Sequence, residues 1–162
     1  MTDTNTAATN TAASVHELLN GLIGAYWSAY AQHHAHVALV RSLGLIKLAD
    51  AMQQHIDDEP QTLRTLVERL VELDGRIDLD LSKPAIGSTL KEVLYNDLAA
   101  QKETRPALNR AAEMASAAHD ATTRYLIESI LRDEEEHLDW LSTEVDLYES
   151  LGEALYKANR LQ

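Results

Sequence analysis

Hydrophobic residues recur along the chain at the three- and four-residue spacing of amphipathic helices, in four long stretches. The first predicted helix begins at Ser14, where Ser14 and Glu17 form a capping-box pattern, and ends at about Ser42. Its apolar face consists of Leu19, Leu22, Ile23, Tyr26, Tyr30, Val37 and Val40. The preceding residues, 1–13, are rich in Thr and Ala without the basic and apolar regions of a signal peptide, and we predict a disordered tail there.

The second predicted helix spans residues 45–73 and carries one carboxylate on its apolar stripe. The stripe consists of Leu45, Leu48, Met52, Ile56, Glu59, Leu63, Leu66, Leu70 and Leu73. Pro60 follows Glu59 directly, and a proline inside a helix removes a backbone hydrogen bond at a cost of about 3 kcal/mol. The pattern therefore predicts a kink at Pro60 or a helix split in two.

Residues 74–88 show no helical period, and a connection this long predicts a crossover along the length of a bundle. The third predicted helix spans 89–117, with a capping-box pattern at Thr89 and Glu92 and a further kink expected at Pro106.

The fourth predicted helix spans 119–150, and Gly152 separates it from a short fifth helix at 152–161. Four long helices with one long crossover are typical of a four-helix bundle. The sequence thus predicts an all-α fold in one domain, residues 14–162.

The amino-acid composition indicates which partners and which compartment to expect. Acidic residues outnumber basic ones 26 to 14, giving a formal net charge of −12, so we expect the protein to repel nucleic acid and attract cations. Cys is absent, which is compatible with a reducing cytoplasm, where we expect the protein to reside. No apolar run approaches the roughly 20 residues that span a bilayer, so no membrane association is expected.

Three potential metal ligands fall on inward faces of the predicted helices. Glu134 and His137, in LRDEEEHLDW at 131–140, are three residues apart on one apolar face, and Glu59 has a core position on the second helix. A buried carboxylate is costly unless it is paired or bound to a metal, and iron, manganese and zinc accept mixed carboxylate and imidazole ligands. The three residues therefore form a candidate metal site. The alternative is a buried hydrogen-bonded trio that only stabilises the packing.

Four further histidines lie on the first two predicted helices. His33, His34 and His36 follow one another closely, and His55 lies on the second helix. A single helix cannot direct all three of the first group toward one ion, so we expect solvated or interfacial histidines rather than a metal site.

Longer segments carry a family resemblance. IESILRDEEEHLDWLSTEVDLYESLG at 127–152, NDLAAQKE at 96–103 and LVERLVELDG at 66–75 resemble the corresponding parts of bacterioferritins, and EALYKANRLQ at 153–162 is similar to their short fifth helix. The resemblance covers nearly the whole chain from Val15 onward. It implies a ferritin-like fold and a closed hollow shell of identical or related subunits, 24 in a bacterioferritin, with iron oxidation and storage as the usual role.

The resemblance also implies a di-iron centre built from four glutamates and two histidines. Three positions match that set, namely Glu59, Glu134 and His137, and three are substituted, namely Tyr26, Thr62 and Gln101. With Tyr and Gln at two of the carboxylate positions, too little negative charge is left to offset two divalent cations. We therefore expect the site to hold iron weakly at most. Pro60 stands where the family has its haem-ligand Met and has no donor side chain, so haem is not expected.

Four hypotheses follow from these residues. The first is a shell subunit for iron storage with an incomplete ferroxidase centre, in a homo-oligomer or beside an active sister subunit. The second is an active ferroxidase that uses unusual ligands. The third is a mini-ferritin that protects DNA, against which the acidic charge argues, and the fourth is a structural subunit without metal.

Overall fold

Five helices account for most of the chain in the computed structural model, which describes the backbone of residues 3–161 and the side chains of residues 15–161. They are α1 (Asp3–Ser42), α2 (Ile46–Ile56), α3 (Glu59–Glu72), α4 (Leu90–Ala117) and α5 (Ala121–Ala158). Short turns make α1 antiparallel to the α2–α3 arm and α4 antiparallel to α5, and α1 also packs against α4. The predicted four-helix bundle is confirmed. Within residues 3–161, no helix combines the length and the apolar character needed to cross a membrane.

The start of the first helix differs from the prediction. α1 begins at Asp3, so residues 3–13 of the predicted tail have helical backbone and Ser14 lies inside the helix, whereas residues 1 and 2 are outside the described range. Alanine is the strongest helix former, and extending an existing helix requires no new nucleation. The Ala-rich segment therefore continues a helix that the capping-box pattern at Ser14 was expected to begin.

The two prolines that were expected to kink helices, Pro60 and Pro106, differ in their effects on the backbone. Pro60 is the second residue of α3, where a missing N–H is harmless, and the second arm breaks at Asp57 and Asp58 just before it. Pro106 lies inside α4 without ending it. Pro106 is exposed, so water can hydrate the carbonyl group that loses its hydrogen bond. Thr89 caps α4 in a complete capping box with Glu92, as predicted.

The chain turns back on the bundle at Gly152. This residue has φ 72° and ψ 157°, which separates the long part of α5 from a short terminal helix at 153–158. Tyr156 on that helix is fully buried, and its hydroxyl donates to Glu144 Oε2 at 2.5 Å. Arg160 donates to the same oxygen from Nε and Nη2, at 3.0 and 2.8 Å. These bonds hold the predicted short fifth helix against the end of the bundle.

The crossover between α3 and α4 runs along α1, as predicted. Polar side chains at four- or eight-residue intervals on α1 form hydrogen bonds with the backbone of the crossover. The pairs are Asn20 with Arg76 and Asp78, Ser28 with Ser82, Gln32 with Ala85 and His36 with Gly87. Within this row, a Cβ added at Gly24 would lie 2.6 Å from the Asp80 carbonyl oxygen. The row covers about 24 Å of helix, so one face of α1 fixes the whole crossover.

Candidate metal centre

The interior of the bundle has an apolar cluster at each end and polar side chains between them. One apolar cluster fills the end of the bundle that includes Val37, Leu48, Leu94, Leu141 and Tyr156. A second cluster fills the other end and includes Leu19, Leu22, Leu66, Leu108 and Ile127. Between the two clusters lies a layer of polar side chains from α1, α3, α4 and α5, which we call the central layer; its members are Tyr26, Gln32, His33, His36, Glu59, Asp97, Gln101, Glu134 and His137.

Protein donors bind both carboxylate oxygens of Glu134. The Tyr26 hydroxyl donates to Oε1 at 2.5 Å, and the Gln101 amide nitrogen donates to Oε2 at 2.7 Å. Burial raises the pKa of Glu134, and these two hydrogen bonds offset part of that rise. Burial and the adjacent carboxylate also raise the pKa of Tyr26 well above its ordinary value, which keeps its phenol protonated as a donor.

His137 is linked to the same amide. The second Gln101 Nε2 hydrogen points to His137 Nδ1 at 2.8 Å, so this ring nitrogen accepts. Burial and the neighbouring rings of His33 and His55 lower the pKa of His137 to about 3, so the imidazole is neutral at pH 7. His55 stacks on His137 with ring centroids 5.2 Å apart. Gln101 therefore joins the Glu-x-x-His pair, although neither member bonds the other.

Glu59 has a different partner. Its Oε1 accepts from His33 Nδ1 at 2.5 Å, and the two residues are only 6% and 3% exposed. His33 Nε2 lies 3.9 Å from Asp97 Oδ1. Burial alone would lower the pKa of His33, but the hydrogen bond with Glu59 and the charges of Glu59 and Asp97 outweigh it and raise the pKa. His33 and Glu59 thus form a buried, charge-assisted pair.

The expectation for two of the histidines was wrong. His33 and His36 are buried in the central layer rather than solvated, because residues three apart share a helix face and this face points inward. His36 Nδ1 donates to Asp97 Oδ1 at 2.7 Å, and its Nε2 accepts from the Gly87 N–H at 2.7 Å. His34 is only partly buried and packs edge-on against Tyr30.

Sequence reasoning missed Asp97 and Gln32. Both are buried, and the Gln32 amide donates to Asp97 Oδ1 at 2.9 Å. The signal was available, because Asp97 lies between the apolar residues Leu94 and Leu98 and one turn before Gln101. An acidic residue on an apolar helix face is a candidate for a buried network by the argument applied to Glu59.

Hydrogen bonds between protein groups connect the central layer. Among the side chains of residues 15–161, no three carboxylate or imidazole groups are arranged to hold a metal ion. Glu134 accepts a hydrogen bond on each oxygen, whereas Glu59 accepts one on Oε1 and its Oε2 is buried without a protein partner. Thr62 is partly buried on α3 and makes no hydrogen bond to the described side chains of the layer. Metal binding by Glu59, Glu134 and His137 stays a prediction.

Comparisons with known proteins agree with this architecture. The ferritin-like domain family matches residues 16–151. The bacterioferritin of Streptomyces coelicolor is 35% identical over 141 residues, 86% of this chain and 84% of the relative. Among solved structures, the Mycobacterium tuberculosis bacterioferritin BfrA is 31% identical with a TM-score of 0.86, covering 92% of this chain and 94% of its own. A Rhodobacter capsulatus bacterioferritin, described with a metal-free dinuclear site and a haem iron, has a TM-score of 0.87 at 27% identity, covering 93% and 94%.

Proposed function

Because the chain belongs to the bacterioferritins of the ferritin-like family, we propose that it is a subunit of a hollow iron-storing shell and that its own ferroxidase centre is incomplete. The sequence similarity extends over 86% of the chain and the structural similarity over 92%, and the family match at residues 16–151 includes the long crossover. The similarity therefore concerns most of the subunit. Iron is the cargo of such a shell. The question specific to this chain is whether its bundle oxidises that cargo.

The observation that carries the proposal is the pairing of Glu134. A carboxylate that bridges two metal ions must offer a lone pair from each oxygen, and here Tyr26 and Gln101 direct hydrogen-bond donors at both. The two substituted residues therefore compete with metal ions for the oxygens of Glu134, and each takes one lone pair.

Charge supports the same conclusion. Two divalent cations carry four positive charges, whereas the six positions of the centre keep only two carboxylates, Glu59 and Glu134. In a buried site, uncompensated charge is strongly unfavourable. Asp97 is a further buried carboxylate outside these six positions, and its Oδ1 accepts hydrogen bonds from Gln32 and His36.

An incomplete centre favours co-assembly with an active sister subunit. Such a neighbour would supply oxidised iron, and this chain would add inner surface to the shell. The 26 acidic residues of the chain supply carboxylates that attract cations.

Aerobic oxidation of Fe²⁺ tests the proposal. The matched control is the Glu59→Gln/Glu134→Gln variant, which keeps the shape of the central layer but removes both carboxylates. We expect the native protein to oxidise iron no faster than this variant, and both far more slowly than the Streptomyces coelicolor relative. A native rate well above that of the variant, with two tightly bound irons per subunit, would establish the active ferroxidase instead. Sedimentation should also reveal a shell-sized assembly, alone or after co-expression with a competent bacterioferritin.

Two related proposals concern haem and DNA. Pro60 provides no donor atom, so we propose that the protein binds no haem through this position. The absorption spectrum of haem added to the protein is expected to match that of haem in buffer alone. The net charge of −12 argues against a DNA-protecting role, and a gel-shift assay at low salt should detect no complex.

A further inference from the structure

We propose that His33 keeps metal ions out of the central layer by holding Glu59 in an intramolecular pair that stands in for a metal–carboxylate bond. The inference rests on the proposed function, because it identifies a second cause of the incomplete centre. His33 is not at one of the six ligand positions implied by the family, so its effect is separate from the loss of ligands at Tyr26, Thr62 and Gln101.

The geometry of the pair supports this role. His33 Nδ1 donates directly to Glu59 Oε1, and both side chains are buried, so the carboxylate accepts a charge-assisted hydrogen bond away from water. An ion that approached Glu59 Oε1 from the side of His33 would have to displace this donor first. The other oxygen, Glu59 Oε2, is buried without a protein partner, so Glu59 by itself offers an ion one free oxygen.

His33 is also held on its other sides. Asp97 Oδ1 lies 3.9 Å from Nε2, and the His137 ring packs edge-on with centroids 5.5 Å apart. Asp97 is itself fixed by Gln32 and His36, two neighbours of His33 on α1. Turning the imidazole away from Glu59 would therefore disturb groups from α4 and α5 as well.

The arrangement distinguishes a blocking residue from a ligand. If His33 were a ligand, its free nitrogen would face a set of further donors suited to a metal ion, but no such set occurs among the described side chains. Nε2 lacks a hydrogen-bond partner, and its nearest charged neighbour, Asp97, already accepts two hydrogen bonds. Replacing His33 should thus increase metal affinity rather than decrease it.

Calorimetric titration with Co²⁺, which does not undergo the oxidation step, tests the proposal in a variant with restored ligands. The background is Tyr26→Glu/Thr62→His/Gln101→Glu, which returns the three missing donors. Adding His33→Leu should tighten Co²⁺ binding about 10-fold or more, because the ion no longer displaces a charge-assisted hydrogen bond. The control is His34→Leu in the same background, since His34 lies beside His33 but contacts Tyr30, and it should leave the affinity unchanged.

Two results would overturn the proposal. Unchanged Co²⁺ affinity on adding His33→Leu would show that the pair does not block the site, and weaker binding would show that His33 is a ligand. If the restored variant fails to fold by circular dichroism, His33→Leu in the native chain decides, again with a 10-fold gain expected and an unchanged or weaker affinity refuting the role. Tight binding of two Co²⁺ ions by the native protein would instead refute the incomplete centre, so the two failures are distinguishable.

Discussion

Replacing Tyr26 with Phe would remove one hydroxyl group from the central layer and leave the ring in place. The Tyr26 side chain is buried, and its hydroxyl is the donor to Glu134 Oε1. After the change, Gln101 would be the only described side chain that still donates a hydrogen bond to the Glu134 carboxylate. The substitution therefore measures how far Glu134 depends on a protein donor where the family has a metal ligand.

The expected loss of stability follows from the type of bond removed. A hydrogen bond to a charged group contributes about 1.5–3 kcal/mol, and removing one partner leaves the other to bear the cost of desolvation. Glu134 is only partly buried, so water can replace some of the lost interaction, and we expect the lower half of the range, about 1.5–2 kcal/mol. For a protein of this size, this corresponds to a fall in Tm of roughly 3–8 °C.

Thermal and denaturant unfolding, followed by circular dichroism without added metal, would measure the change. Native and variant proteins must be compared at the same concentration and assembly state, because association adds to apparent stability. Tyr125→Phe is the matched control, since Tyr125 is 75% exposed and should change the free energy of unfolding by less than about 0.5 kcal/mol. If Tyr26→Phe is no more destabilising than this control, Glu134 does not depend on the Tyr26 donor.

Two further predictions concern the ends of α5. Gly152→Ala should destabilise the protein by about 1–3 kcal/mol, because φ 72° with ψ 157° is a conformation that only glycine adopts readily. The control Gly21→Ala, at an exposed helical position, should instead stabilise the protein by about 0.5–1 kcal/mol. The denaturant midpoints of the two variants would test this difference. At the other end, burial alone would raise the pKa of Asp120, but hydrogen bonds from Thr123 and Arg69 outweigh it and lower the pKa. The ionised Asp120 carboxylate should therefore stabilise the folded protein above about pH 4, and this stabilisation should be lost as the pH falls through the lowered pKa. Asp120→Asn should flatten that part of the pH–stability curve, and an unchanged acid limb would contradict the assignment.

Helical periodicity was sufficient to predict the architecture. The apolar stripes, the break before Pro60, the capping box at Thr89 and the turn at Gly152 are local features, and each depends on residues a few positions apart. The start of α1 was predicted too late, because an alanine-rich segment extends an existing helix without an apolar period of its own.

The sequence alone also indicated that Glu59, Glu134 and His137 point inward, because helix period and their apolar neighbours depend only on local spacing. It did not identify the buried positions of Gln32, His33, His36 and Asp97. It could not determine their partners. His33 pairs with Glu59 across 26 positions of the chain, and Tyr26 bonds Glu134 across 108. Which donor meets which carboxylate depends on the rotation and height of each helix against its neighbours, and only the packing of the two apolar clusters sets these.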